Sequence, residues 1–311
     1  MFRPDRSAAR RRAILAPVVL LLAALAACSS PDSMDRSVAA SEDVAGEEPR
    51  TVVAAPEAEE ATVGVTAQDG EKAGSSSVPF VTRPEASGGS SYEADTVLAV
   101  RYGAHEGYER VVLDLGTGDE PAASVPEWTL MSSTGSGLLR VTVPSMSRTA
   151  VSDGTLGDAL LQSFYVVRAP EGGMFVDVFA RKSFAYRVLE LSDPARLVVD
   201  FRPEGSEVRP PAVDGDTVLV EPRAGARIGD PLTICGYSRN FEASNTIALT
   251  DSRGRVVVQR TVLSNDWTST WGYFEATLDL PPFGGKGTLR VGTESARDGT
   301  FEGVEVPVKG G

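Results

Sequence analysis

The chain has 311 residues, a formal net charge of −13, two cysteines and one histidine. So acidic a chain lacks the basic footprint that nucleic acid or anionic lipid headgroups require. A lone histidine, with no H-E-x-x-H, G-x-S-x-G, P-loop or strand-linked G-x-G-x-x-G, excludes the common zinc, serine-nucleophile and nucleotide frameworks.

The chain opens with Arg3, Arg6, Arg10, Arg11 and Arg12, followed by an apolar run from Ala13 to Ala27. That order is the n-region and h-region of a secretory signal over residues 1–27. The run of about 15 residues is shorter than the roughly 20 that a spanning helix needs. Leu25-Ala26-Ala27-Cys28 closes it with small residues and a cysteine. This resembles the lipobox of bacterial lipoproteins, which implies a diacylglyceryl group on the Cys28 sulfur and cleavage before that residue. The expected location is extracytoplasmic, lipid-anchored to the outer face of the bacterial cell membrane. No metal or cofactor is expected beyond that covalent lipid. Removal of residues 1–27 takes away five arginines and one aspartate, so the mature chain is more acidic still, at −17. With Cys28 lipidated, Cys235 has no partner, and no intramolecular disulfide is expected. Its setting, Leu232-Thr233-Ile234-Cys235-Gly236, reads as a small buried hydrophobe on a strand.

Residues 28–93 are rich in Ala, Glu, Ser, Gly, Pro and Thr and poor in large apolar side chains. Such a stretch buries too little to order itself and reads as a lipid-anchored disordered linker. As a coil it spans about 45 Å, and fully extended about 200 Å, enough to lift the rest of the chain into the wall.

Residues 94–203 read as a β-domain. Strands are expected over 95–102, 108–115, 128–132, 138–143, 163–168, 174–180, 185–191 and 196–201, with a helical turn near 158–162. Val111, Leu113 and Leu115 share one face at period two, and Arg110, Val112 and Asp114 share the other. Short strands at this spacing, separated by Gly and Pro, predict an antiparallel sandwich. Arg101-Tyr102-Gly103-Ala104-His105-Glu106-Gly107-Tyr108-Glu109-Arg110-Val111-Val112 resembles the opening motif of AMIN-like domains of lipoproteins. The segments Tyr186–Leu189 and Asp193–Asp200 resemble their close. Related AMIN domains localise envelope proteins to the cell wall, in the best-known cases attached to amidases. The resemblance therefore implies contact with wall peptidoglycan or an envelope partner, with Arg101, His105, Tyr108 and Arg110 as candidate contacts. The alternative for His105 is a turn residue; for Arg110 it is a cross-strand pair with Asp200 or Asp114.

Residues 204–215 read as an interdomain link, and 216–309 as a second β-domain. Strands are expected over 217–222, 231–237, 243–250, 256–263, 272–280, 287–293 and 301–308. About seven strands in a stretch of roughly 95 residues is the count of an immunoglobulin-like sandwich. The series Val220-Glu221-Pro222 with Gly225, Cys235-Gly236-Tyr237, Asn240-Phe241-Glu242-Ala243, Asp251-Ser252-Arg253-Gly254, Gly272–Leu278 and Glu294–Gly299 resembles the Gmad-type immunoglobulin-like domain of spore-germination proteins. Trp267 and Trp271, with Tyr273 and Phe283, are candidates for an aromatic platform for sugar or peptide.

The whole chain thus reads as all-β, two β-sandwich-type domains after a signal peptide and a disordered linker. The function expected is that of a non-catalytic, lipid-anchored envelope protein that binds wall material or an envelope protein, with no nucleic-acid partner. Two alternatives stay open. One is an accessory lipoprotein of a sporulation or germination apparatus. The other is a wall hydrolase using paired carboxylates, whose pairing is spatial and invisible in sequence.

Overall fold

Alternation at period two dominates the chain from residue 85 onward, and a computed structural model resolves it almost entirely into strands. The structure describes residues 78–157, 159–295 and 297–311. Cys28 and the expected signal peptide lie outside the described residues.

The first half holds β1 (Glu85–Gly88), β2 (Thr96–His105), β3 (Tyr108–Thr117), β4 (Glu120–Pro121), β5 (Trp128–Ser133) and β6 (Leu138–Val143). It continues with β7 (Arg148–Thr149), β8 (Asp153–Thr155), β9 (Leu161–Arg168), β10 (Met174–Ala180), β11 (Lys182–Leu191) and β12 (Arg196–Glu207). The second half holds β13 (Ala212–Asp214), β14 (Thr217–Glu221), β15 (Arg227–Ile228), β16 (Leu232–Ser238) and β17 (Ser244–Asp251). It ends with β18 (Val256–Leu263), β19 (Trp271–Leu278), β20 (Lys286–Glu294) and β21 (Phe301–Gly310).

The first described strand lies inside the stretch expected as linker. The β1 segment carries no long apolar side chain and is a strand because it pairs with the edge of β5. The link expected over 204–215 is likewise shorter, because β12 runs on through Glu207 and β13 starts at Ala212. No helix forms at Leu161 and Gln162, which open β9 instead.

A six-stranded sheet, β11-β12-β3-β2-β7 with β4 beside β3, covers one side of the first half. A five-stranded sheet, β15-β21-β20-β17-β18, covers one side of the second. Between them a single ten-stranded sheet runs β1-β5-β6-β10-β9-β19-β16-β14-β13, with β8 beside β9. The two halves of this sheet meet at β9 and β19, which pair in parallel only at Trp271↔Val167 and Gly272↔Arg168.

Alternate residues of the shared sheet serve different cores. Phe164, Val166, Met174, Val176 and Val178 face the six-stranded sheet with Val111, Leu113, Leu115, Leu197 and Val199. Ile234, Phe274, Ala276 and Leu278 face the five-stranded sheet with Ile247, Leu249, Leu289 and Val306. The intervening residues form a third core: Leu138, Tyr165, Val167, Phe175 and Phe179 from the first half pack with Val218, Val220, Cys235, Tyr237, Trp271 and Tyr273 from the second.

Flat geometry cannot make that third core. Strands β10 and β16 are three places apart in the sheet order, about 14 Å at the usual interstrand spacing. Yet the Tyr237 hydroxyl on β16 donates to Asp177 Oδ2 on β10. The sheet is therefore folded over at the short β9–β19 junction, and its two outer faces pack on each other. At the junction Gly272 lets the Asp266 loop lie close against β19, since a Cβ there would lie 2.0 Å from the Asp266 carbonyl oxygen. The result is four stacked layers with three buried interfaces.

Candidate functional site

The outward face of the six-stranded sheet gathers the residues of the first motif. Strand alternation sends Val111, Leu113 and Leu115 inward, leaving Tyr108, Arg110, Val112 and Asp114 on the other side of β3. The register then sets His105 opposite Tyr108, Arg110 opposite Asp200 and Asp200 opposite Arg187. Arg101, His105, Tyr108 and Arg110 thus lie on one surface.

Their chemistry is specific. The His105 ring stacks on Tyr108 at 4.7 Å and 10°. Arg110 grips Asp200 with two bonds, Nε to Oδ1 at 2.6 Å and Nη2 to Oδ2 at 3.0 Å. Arg187 Nε adds a third bond to Oδ2 at 2.7 Å. Hydrogen bonding to Asp200 holds the Arg110 guanidinium above its already high range, so it stays charged. Two guanidiniums on one fully buried carboxylate leave this face with an excess positive charge. Phe80 lies over Arg187 at 4.6 Å and Arg202 at 4.8 Å, supplying a ring face to both cations. Arg101 pairs with Asp114 at 2.6 Å and remains half-exposed.

Of the alternatives posed for Arg110, the structure takes the cross-strand pair with Asp200, while Asp114 goes to Arg101. Glu109, the acid of the motif, points the other way. Its carboxylate accepts the backbone N–H groups of Leu160 at 3.0 Å and Leu161 at 2.9 Å, a structural duty.

The second expected surface is rearranged. Trp267 and Trp271 do not form one platform, because Trp271 is only 2% exposed and belongs to the third core. Its indole N–H donates to Asp153 Oδ2 at 3.3 Å, and Arg239 covers its ring at 4.4 Å. Tyr273 is buried as well, its hydroxyl donating to Glu275, and Phe283 packs on the second core. Trp267 instead meets Phe241 edge-on, at 5.2 Å and 78°, and both rings are exposed, at 38% and 68%.

Sequence reasoning missed Phe241 because its placement depends on backbone strain. Glu242 and Ala243 follow it at φ 55° and 58°, left-handed values unusual for residues with a Cβ. Buried hydrogen bonds hold the turn: the Ala243 carbonyl accepts from Ser264 N and Asn245 Nδ2, both at 2.9 Å. Asn240 Nδ2 donates to Asn245 Oδ1 at 2.8 Å and to Thr217 Oγ1 at 3.0 Å. The loop carrying Trp267 is fixed by Asp266, whose Oδ1 accepts from the backbone of Trp267, Thr268 and Ser269.

Sequence reasoning also missed the polar centre of the seam. Arg140 reaches Asp177 with two bonds of 2.8 Å, and its guanidinium lies 3.8 Å from the Phe175 ring centroid. Burial, with Asp177 beside it, pushes the Tyr237 phenol well up, so it remains a donor. Burial alone would lower Arg140, but the Asp177 charge and its hydrogen bonds outweigh that and keep it protonated. The available signal was Asp177 itself, one carboxylate inside the apolar run Met-Phe-Val-Asp-Val-Phe-Ala.

Cys235 is 1% exposed, as expected for a buried strand position. Among the described residues no group of three or more His, Cys, Asp or Glu side chains is placed to hold a metal ion.

Comparison with known families matches residues 218–300 to the immunoglobulin-like domain of bacterial spore germination. The match covers β14 to the end of β20 and the turn before β21, and so includes the Asn240–Ala243 turn and the Trp267 loop. No curated protein and no solved structure matches the chain.

Proposed function

We propose that the protein is a non-catalytic lipoprotein of the bacterial envelope, tethered through Cys28, whose folded part binds cell-wall peptidoglycan. The observation that carries this reading is the convergence of Arg101, His105, Tyr108 and Arg110 on one outer face. The excess positive charge of this face and the His105–Tyr108 stack suit the carboxylates and sugar rings of wall polymer. The excess positive charge stands out on so acidic a chain. The AMIN-like resemblance of the same residues points the same way.

The tether and the face are tested together. Wild type should incorporate labelled lipid, and Cys28→Ala should remain unlabelled and uncut. The Cys28→Ala chain should sediment with isolated wall, and adding Arg101→Ala with His105→Ala should weaken that severalfold. Equal sedimentation of both would remove the face from the reading, and none with either would end it.

The family match over residues 218–300 favours a second reading, an accessory lipoprotein of a germination apparatus. It predicts expression confined to sporulating cells. Steady expression in cells that never sporulate would exclude it.

A further inference from the structure

Phe241 and Trp267 are large rings held in water by a costly piece of backbone. Two consecutive residues with a Cβ in the left-handed region, Glu242 and Ala243, present Phe241. Strain of this kind persists only where surrounding bonds over-determine it, and it concentrates at binding sites. Here the bonds come from the buried Asn240, Asn245, Ser264 and Thr217 described above. Neither ring supports the core, since Phe241 is 68% and Trp267 38% exposed.

We infer that the Phe241–Trp267 pair is a sugar-stacking subsite for the uncharged glycan backbone of the wall polymer. This rests on the reading proposed above and assigns the glycan to this subsite, leaving anionic peptide groups to the arginine face. The immediate surroundings select the occupant. Exposed neighbours along the two turns are Leu263, Asn265, Thr268 and Ser269, with Glu242 as the exposed charge next to Phe241. Asp266 is taken up by backbone N–H groups and by Arg168 at 3.3 Å. An anionic lipid surface or a carboxylate would meet the exposed Glu242 carboxylate next to Phe241. A pyranose ring presents C–H groups to an aromatic face and hydroxyls to amide and hydroxyl side chains, which is the chemistry this loop offers. Two rings are also far short of the twenty to thirty residues a stable protein interface engages on each side.

The chain supplies its own reporter. Of the three tryptophans, Trp128 and Trp271 are 5% and 2% exposed, so a solvent-sensitive emission change belongs to Trp267. The experiment titrates the full chain carrying Cys28→Ala with three probes: peptide-free glycan strands, peptide-bearing muropeptides, and phosphatidylglycerol vesicles. Glycan strands should shift Trp267 emission to the blue and saturate. Trp267→Ala should weaken glycan binding about tenfold and Phe241→Ala severalfold, as judged by calorimetry. Circular dichroism should be unchanged, because both side chains lie outside the cores. Arg101→Ala with His105→Ala should leave binding of the peptide-free strands intact.

Unaltered glycan affinity in Trp267→Ala overturns the inference, as does binding of muropeptides without binding of bare strands; in both cases wall binding itself survives. A blue shift with vesicles but not glycans overturns it in favour of a lipid surface. Failure of every wall probe and of wall sedimentation would fall on the broader reading instead.

Discussion

The Arg–Asp device appears twice, once at the seam between the two halves and once on the outer face of the six-stranded sheet. In each, an arginine forks onto an aspartate directly opposite on the neighbouring strand: Arg140 onto Asp177, and Arg110 onto Asp200. Both aspartates are fully buried, and both arginines are largely covered. The third member differs. At the seam it is a neutral donor, Tyr237, contributed by the other half of the folded sheet. On the outer face it is a second cation, Arg187, under the loose cover of Phe80. The seam closes on charge balance and locks two domains together. The outer face gathers two guanidiniums on one carboxylate and so carries an excess positive charge.

Removing each aspartate breaks this comparison open. Asp177→Ala leaves Arg140 charged inside the third core, and breaking a buried pair of this kind costs about 3–5 kcal/mol. Asp200→Ala frees two arginines that can turn toward water, so the loss should be smaller, roughly 1–3 kcal/mol. Urea denaturation should show both midpoints lowered, Asp177→Ala the more. It should also split the single transition expected of wild type, because the seam joins the halves. An equal loss, or a larger one for Asp200→Ala, would mean that the two clusters do not differ as described.

How far each cluster was readable in sequence follows from the same difference. The outer face lies on adjacent strands of one sheet, and period-two alternation with a contiguous motif exposed Arg101, His105, Tyr108 and Arg110 together. Asp200 was a candidate partner because the closing segment held an obvious strand. Strands at 138–143, 174–180 and 256–263 were placed to the residue, since each is a clean apolar alternation or run. The seam had no such local signature. It needs Tyr237, three strands and 60 residues from Asp177, to meet it across a folded sheet. Trp271 was misplaced for the same reason, its burial being contributed by Tyr165 and Asp153 of the other half. Phe241 escaped because nothing in Asn-Phe-Glu-Ala announces two left-handed residues without glycine.

A smaller effect separates the third members. Tyr237→Phe keeps the ring in contact with Tyr165 and Phe175, both at 5.8 Å, and removes only the hydroxyl. The loss should be about 1 kcal/mol. It should not change with added salt, because the seam is shielded from ions. Arg187→Met on the outer face should by contrast show a stability change that shifts with salt. Salt dependence at Tyr237, or none at Arg187, would erase the distinction between a closed neutral cluster and an open charged one.

The smallest effect concerns the pair at the edge of the seam, Arg168 with Asp266 at 3.3 Å. Burial raises the Asp266 carboxyl, but the backbone N–H groups of Thr268, Ser269 and Trp267 outweigh it and hold it below its usual value of 3.8. A carboxylate depressed on folding contributes stability above its unfolded pKa, and that contribution disappears as pH falls through the lower folded value. The Trp267 loop should therefore stay ordered from neutral pH through the ordinary carboxylate range and loosen only below it. Trp267 emission, followed in an acid titration, should turn red at a pH lower than 3.8. In Asp266→Asn the loop should be looser at neutral pH and that acid step should vanish. A step at or above the ordinary carboxylate value, or one that persists in Asp266→Asn, would show that the backbone cradle does not set the loop, and with it the presentation of Trp267.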